Sequence, residues 1–377
     1  MTKLFYIANN QLPTLKAHGL QIMKMCEAFS LLGIDCELII PDRRVYPSIT
    51  ERDPLKYYSI HSSFRITRLP AADFITVTNY KPLAKFFFWL QQLAFGFSVR
   101  RYLSNKEGII YSRDPFSLFM LRSLAMPMYW EIHSLPKNLA SLLYKKVFSS
   151  IRGIITISRG LQFDLKKKYP GPTLVAPDGV DLKLFSNLPS RASAREQLKL
   201  PLDRQIAVYA GHLYPWKGVD TLLDTARKLP DMLFVLVGGT PEDIKRYRAK
   251  ISNQKNILLS GFVRHDQVPL YLSAADVLVL PNSGKELISS RYTSPLKLFE
   301  YMASGTPIVA SDLPSIREIL TDETAFLVLA DDGDSLQRGI HEALISGSIR
   351  ANKAREAVMQ YSWHERARKI KIFIDIS

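Results

Sequence analysis

Residues 276–312, DVLVLPNSGKELISSRYTSPLKLFEYMASGTPIVASD, read as strand, loop, helix, strand. The run from Asp276 to Leu280 is short, β-branched and leucine-rich, the pattern of a strand buried on both faces of a parallel sheet, and it stops at Pro281. After a polar loop, Ser294 and Pro295 predict a helix start: a hydroxyl N-cap, then the residue whose missing N–H costs nothing at the first helical position. Gly305 predicts the end of that helix. Inside it Glu300 is flanked by Leu298, Phe299, Tyr301 and Met302, so its carboxylate needs a partner. Two arrangements fit. One is a structural ion pair; the other is a carboxylate accepting hydrogen bonds from ligand hydroxyls while free amides at the helix start hold an anion. Helix geometry alone does not choose between them.

Working outward, residues 206–210, 233–237, 256–259, 277–280, 307–310 and 326–329 read as strands with helices between them. The first half has the same alternation. Residues 3–10 predict a strand, 18–33 a helix with Ile22, Met25, Phe29 and Leu32 on one face, and 36–41 a second strand. Further strands are predicted at 108–111, 127–132, 153–157 and 173–176, while 42–81 reads as irregular. A β-loop-α-β opening fits a doubly wound α/β domain, whose ligands approach the carboxyl ends of the strands. No G-x-G-x-x-G separates the first strand from the first helix, which argues against a dinucleotide-binding dehydrogenase. PDGVDLKLF, residues 177–185, and the polar stretch to Arg195 read as a linker.

At 377 residues the chain predicts two domains of ordinary size, and 47% apolar with 23% charged residues describes a soluble globular protein. MTKLFYIANN runs straight into the first strand with no secretory signal pattern. Cys26 and Cys36 read as buried thiols of a cytoplasmic protein, since two cysteines make neither a disulfide framework nor a metal knuckle. The net charge of +15 is uneven, +12 in residues 1–190 and +3 in 191–377. Such a surface suits nucleic acid, an anionic membrane or an acidic substrate. Nucleic acid has charge alone in its favour, with no reading module, and is not expected as a partner. Residues 86–103, FFFWLQQLAFGFSVRRYL, lie between Lys81, Lys85 and the pair Arg100 and Arg101, and are too interrupted to span a bilayer. They predict either a core helix, the commoner fate, or one that dips into a membrane interface.

The run SPLKLFEYMASGTPIVASDLPSIREIL resembles the signature segment of family 4 of the retaining glycosyltransferases, and the resemblance extends over nearly the whole chain. It implies an α/β protein of GT-B fold, with two doubly wound Rossmann-like domains facing each other across a cleft. The domains would be 1–186, on the acceptor side, and 187–360, binding a nucleotide-sugar donor, with 361–377 (YSWHERARKIKIFIDIS) crossing back onto the first. The implied activity is metal-independent transfer of a hexosyl-type sugar from a nucleotide diphosphate sugar to a glycan or lipid-linked acceptor. Cell-surface polysaccharide or lipopolysaccharide synthesis is its expected setting, at the inner face of the plasma membrane. No cofactor is expected beyond the nucleotide sugar itself. In the family the helix start, here Ser294, Pro295, Leu296 and Lys297, touches the donor diphosphate, and the glutamate matched by Glu300 binds the ribose. A second family glutamate falls on Tyr292 in this sequence, a departure that also admits a catalytically weak subunit binding nucleotide sugar or glycan.

Other candidates follow from turns at strand ends. In YAGHLYPWKGVD, Lys217 precedes a predicted helix where an ammonium and helix amides can meet the same phosphate, although a solvated lysine fits as well. The resemblance puts a basic pair on the diphosphate here, with His212 at the arginine position. Gly238, in VGGT, reads as a turn, near the nucleotide in the family. His18 and Gly19 open the first helix, where the family has a turn facing donor phosphates and acceptor. His133, ending YWEIH, matches a family histidine that faces the transferred sugar. Arg113 and Asp114, in YSRDP, either bind the acceptor or pair with each other. Asp332 and Asp334 form a D-x-D that reads as helix capping, and no metal ligand set is predicted.

Overall fold

The computed structural model describes residues 3–45, 49–73, 81–136, 141–251 and 254–376, with side chains of 81–85 excepted. The chain forms two compact units. The first contains residues up to Ile157, Leu161–Ala176 and the C-terminal helix from Trp363; the second contains Ser158–Gly160 and Pro177–Ser362.

In order, the first unit runs β1 (Leu4–Ile7), α1 (Ala17–Leu31), β2 (Cys36–Asp42), α2 (Pro54–Tyr57), β3 (Arg65–Pro70), α3 (Lys81–Leu103) and β4 (Ile109–Ser112). It continues through α4 (Pro115–Leu121), β5 (Met128–Ile132), α5 (Leu142–Phe148), β6 (Gly153–Thr156), α6 (Arg159–Lys166) and β7 (Thr173–Val175). All strands are parallel, in the order β3-β2-β1-β4-β5-β6-β7. The order reverses between β1 and β4, so a crevice for ligands opens outside their carboxyl ends. The stretch expected to be irregular holds α2 and β3; β3 is an edge strand with mostly exposed residues, and its single buried leucine gives no alternating signal.

The second unit runs α7 (Arg191–Leu198), β8 (Ile206–Ala210), α8 (Val219–Lys228), β9 (Leu233–Val237), α9 (Pro241–Lys250), β10 (Ile257–Gly261) and α10 (Val268–Ser273). It continues with β11 (Val277–Leu280), α11 (Leu296–Ser304), β12 (Ile308–Ser311), α12 (Pro314–Arg317), β13 (Phe326–Val328) and α13 (Gly333–Ala357). Its parallel sheet has the order β10-β9-β8-β11-β12-β13, reversing between β8 and β11. Strands β8, β9, β11 and β12 are buried along their whole length, with apolar clusters on both faces. The last helix, α14 (Trp363–Ile376), packs on α1 in the first unit.

The expected linker is structured. Val180 and Phe185 belong to the second unit's core, and Ser190 caps α7. Arg195 is buried and holds Asp276 at 2.5 Å. The boundary therefore falls after Ala176 rather than after residue 186. Asp276 itself lies just ahead of β11, where its carboxylate also accepts the Ile206 N–H.

Candidate functional site

Two groups of candidate residues form, one in each unit. In the second, both strands at the reversal point end in turns. After β8, the chain passes Gly211 and His212 into the single turn Pro215–Lys217 and then Gly218. Gly218 sits at φ +71°, and a Cβ there would lie 1.7 Å from the carbonyl oxygen of Pro281, the residue after β11. Only glycine allows the two strand ends to approach so closely. The turn brings Lys217 to the start of α8, with its ammonium 3.8 Å from the Trp216 ring centroid.

Helix α11 supplies the facing group. Ser294 does not cap it: its hydroxyl accepts the Asp178 N–H at 2.9 Å, Pro295 occupies the N-cap position, and the helix begins at Leu296. Gly305 ends it at φ +72°, as expected. Tyr301 fastens the helix beneath the sheet, its hydroxyl accepting from the Ala210 N–H at 2.7 Å. Lys297 is 7% exposed, its ammonium stands 3.6 Å over the Tyr209 ring, and Nζ makes no hydrogen bond. Burial pushes the Lys217 ammonium down to about 7. Burial, and then the Lys217 charge, hold Lys297 well below its ordinary value against the opposing pull of Glu300. Two lysines are thus near enough to feel each other's charge, each easily deprotonated while empty and one without a hydrogen-bond partner, beside the start of α11. An anion is the complementary occupant.

One turn along α11, Glu300 is buried and meets Nε2 of His265 at 2.6 Å. His265 was not legible as a site residue, because the contact joins a loop after β10 to a helix 35 positions away. Stacked rings of His212 and Tyr214, 5.1 Å apart, continue to Trp216. Gly238 donates its N–H to the Gly261 carbonyl at 2.7 Å, joining the loops after β9 and β10. Below these loops a cavity of about 410 Å³ is lined by Gly239, Ile244, Lys245, Arg248 and Phe262. Tyr292 closes the wide turn Ile288–Tyr292 and is partly exposed. Asp332 caps α13, as expected, whereas Asp334 does not cap but pairs with Lys228 of α8.

In the first unit, His133 follows β5 and its Nε2 lies 2.5 Å from Glu131 Oε1. Glu131 is fully buried and also accepts from Gln21 at 2.6 Å, from Tyr111, and from both terminal nitrogens of Arg366 at 3.0 and 3.4 Å. Burial alone would raise its pKa, but Arg366, the His133 hydrogen bond and Arg113 hold it well below the usual carboxylate range. Arg113 donates to Gln21 Oε1 at 2.6 Å instead of pairing with Asp114. Asp114 is occupied in capping α4 through the Phe116 and Ser117 amides, an Asp-Pro helix start that outcompetes the neighbouring arginine. His18 meets Asn10 at 3.2 Å. Gly19 leaves room for the Tyr58 hydroxyl, which a Cβ would approach to 2.1 Å. Among the described residues, no group of three His, Cys, Asp or Glu is placed to hold a metal ion.

Known proteins resemble this chain in both sequence and fold. It is 28% identical over 200 residues to the putative teichuronic acid biosynthesis glycosyltransferase TuaC of Bacillus subtilis, covering 52% of this chain and 48% of that one. It is likewise 28% identical over 284 residues to the phosphatidyl-myo-inositol mannosyltransferase of Mycobacterium leprae, covering 70% and 72%. The first of these matches spans about half the length of the relative. The crystal structure of Anabaena HepE in complex with UDP superposes with a TM-score of 0.76 at 16% identity, covering 100% of both chains. Two parallel-sheet, Rossmann-like units superposing along the whole chain make the fold GT-B. Within it, residues 190–361, which carry Lys217, Lys297 and Glu300, match the family of glycosyl transferases group 1.

Proposed function

We propose that the protein is a retaining, metal-independent glycosyltransferase that moves a hexosyl-type sugar from a nucleotide diphosphate sugar to a glycan or lipid-linked acceptor. The observation that carries this reading is the buried Lys297 ammonium, with no hydrogen-bond acceptor, beside Lys217 at the reversal point of the second sheet. A diphosphate supplies the missing acceptors, and the two lysines with the α11 amides neutralise it where a metal would otherwise be required. Glu300 then takes the ribose hydroxyls with His265 behind it, and Ser294, Pro295, Leu296, His212 and Gly238 shape the donor site. The second unit, with Tyr292 at its edge, binds most of the donor and Gly19 of the first faces the donor phosphates, while His18, Arg113 and Asp114 serve the acceptor and His133 the sugar. As the bond from the sugar to phosphate breaks, charge of oxocarbenium type develops on the ring. The acceptor oxygen bonds to the same face, and its proton passes to the departing phosphate.

The acceptor reading includes a surface. Helix α3 buries Gln91, Phe95, Val99 and Leu103 but exposes Phe86, Leu90, Leu93 and Phe97 in a stripe that ends at Arg100 and Arg101. An anionic membrane carrying a lipid-linked acceptor complements that stripe. Among the described residues no helix is long and apolar enough to cross a membrane. Nucleic acid is not a proposed partner.

The test is a calorimetric and thermal-shift panel of UDP, GDP, ADP and their glucose conjugates. One set should raise the melting temperature of the parent, since a ligand of the native state stabilises it, and Lys297→Met should weaken binding at least tenfold. Equal binding by parent and variant would overturn the diphosphate assignment. Tyr292, in place of an expected glutamate, favours a second reading as a non-catalytic binding subunit, which detectable transfer or donor hydrolysis would exclude.

A further inference from the structure

Glu131 does more than a buried ion pair requires. Its side chain is fully enclosed, as is that of Arg366 at 2%, whereas the His133 side chain is 22% exposed. Arg113 is also partly exposed. Positions 131 and 133 are two apart at the end of a strand, so their side chains leave the same face and the ring lies beside the carboxylate. Oε1 is approached by Gln21, His133 and Arg366, and Oε2 by Tyr111 and Arg366, which saturates the acceptor capacity of one carboxylate. Gln21 is fixed in turn, because its amide nitrogen donates to Glu131 while its oxygen accepts from Arg113. A single buried charge therefore holds both partly exposed members of the group.

We infer that Glu131 is the positioning residue of the first-unit site, fixing the orientation of His133 directly and of Arg113 through Gln21, with Arg366 of α14 as its counter-charge. The hydrogen bond to the carboxylate places a proton on Nε2 of His133, selecting one tautomer or the doubly protonated ring. Arg366 keeps the carboxylate ionised where burial alone would favour its neutral form, and a neutral carboxyl would lose one of these acceptor sites. The catalytic consequence rests on the proposed function, since it takes His133 to act on the transferred sugar.

A double-mutant cycle tests it. Glu131→Gln keeps the shape and removes the charge. It should lower turnover of the nucleotide sugar identified by the panel by about tenfold to hundredfold, the scale set by loss of orientation, with unchanged affinity for the nucleoside diphosphate. In a His133→Ala background the same change should cost clearly less, because only the Arg113 arm, held through Gln21, is left to be positioned. Equal losses in both backgrounds would overturn the inference and leave Glu131 a structural residue. Where Glu131→Gln fails to fold with Arg366 unpaired, Glu131→Gln with Arg366→Gln carries the same cycle. A second measurement needs no activity. In protein labelled with ¹⁵N-histidine, the His133 Nε2 resonance, identified by its absence in His133→Ala, should move in Glu131→Gln while the other six histidines stay in place. A stationary His133 signal would overturn the positioning. A shifted signal with turnover insensitive to His133→Ala would support the positioning and instead remove His133 from the proposed reaction.

Discussion

Lys217 carries a charge that is conditional at physiological pH. Its pKa lies at about 7, and a bound phosphate would raise it. Below pH 7 the ammonium is charged with or without ligand, so affinity is level. Above it the free protein must take up a proton to bind, and affinity falls by up to about tenfold per pH unit until the raised pKa is passed. Calorimetry with a nucleotide diphosphate sugar at pH 6, 7, 8 and 9, in buffers of different ionisation enthalpy, should show proton uptake above pH 7. Lys217→Met should remove the part of the fall that begins near pH 7, and a level profile in the parent would contradict the assignment. Glu300 needs no such titration argument, because His265 already stands at its oxygen. A sequence shows that a carboxylate in an apolar helix wants a partner, but not which one. Likewise Glu131 is visible as the one charge in MYWEI, whereas Arg366 lies 235 positions away.

Elements were legible where a single physical demand shaped them. The strands of the second sheet are buried on both faces, so their β-branched runs announce themselves. Strand β3 and the start of α11 answer to neighbours instead. The first lies at a sheet edge, and Ser294 serves Asp178 rather than its own helix. The turn at Gly218 was visible as a lysine before a glycine, but the reason for the glycine, the Pro281 carbonyl, is tertiary. Gly218→Ala should combine a left-handed backbone penalty of about 1–2 kcal/mol with displacement of β11's end, for about 3 kcal/mol in all. At roughly 2–4 °C per kcal/mol for a domain of this size, thermal unfolding should drop by about 6–12 °C. Nucleoside diphosphate affinity should fall with it, since Lys217 rides on that turn. An unchanged melting temperature would show that the strand ends separate easily.

On the scale of the whole molecule, net charge and the exposed stripe on α3 point to one experiment. Each Lys or Arg held near an anionic leaflet contributes on the order of 1 kcal/mol, and burying Phe86, Leu90 and Phe97 adds a term that salt does not screen. Co-sedimentation with phosphatidylglycerol vesicles should therefore be strong at low salt, weaker at high salt and slight with phosphatidylcholine. Phe86→Ser with Phe97→Ser should reduce it in both salt conditions. Indifference to anionic vesicles at low ionic strength would leave the stripe without its proposed occupant.

The crossing of α14 has a bearing on how the protein is made. A ribosome delivers β1 to β7 early, yet the guanidinium that neutralises Glu131 is encoded near position 366. Until α14 emerges, the first unit holds a buried carboxylate without its strongest counter-ion, and the second unit, complete in sequence before α14, can mature first. Completion of the first unit is thereby tied to α14, so a released chain truncated after residue 362 should present an immature first unit and a folded second one.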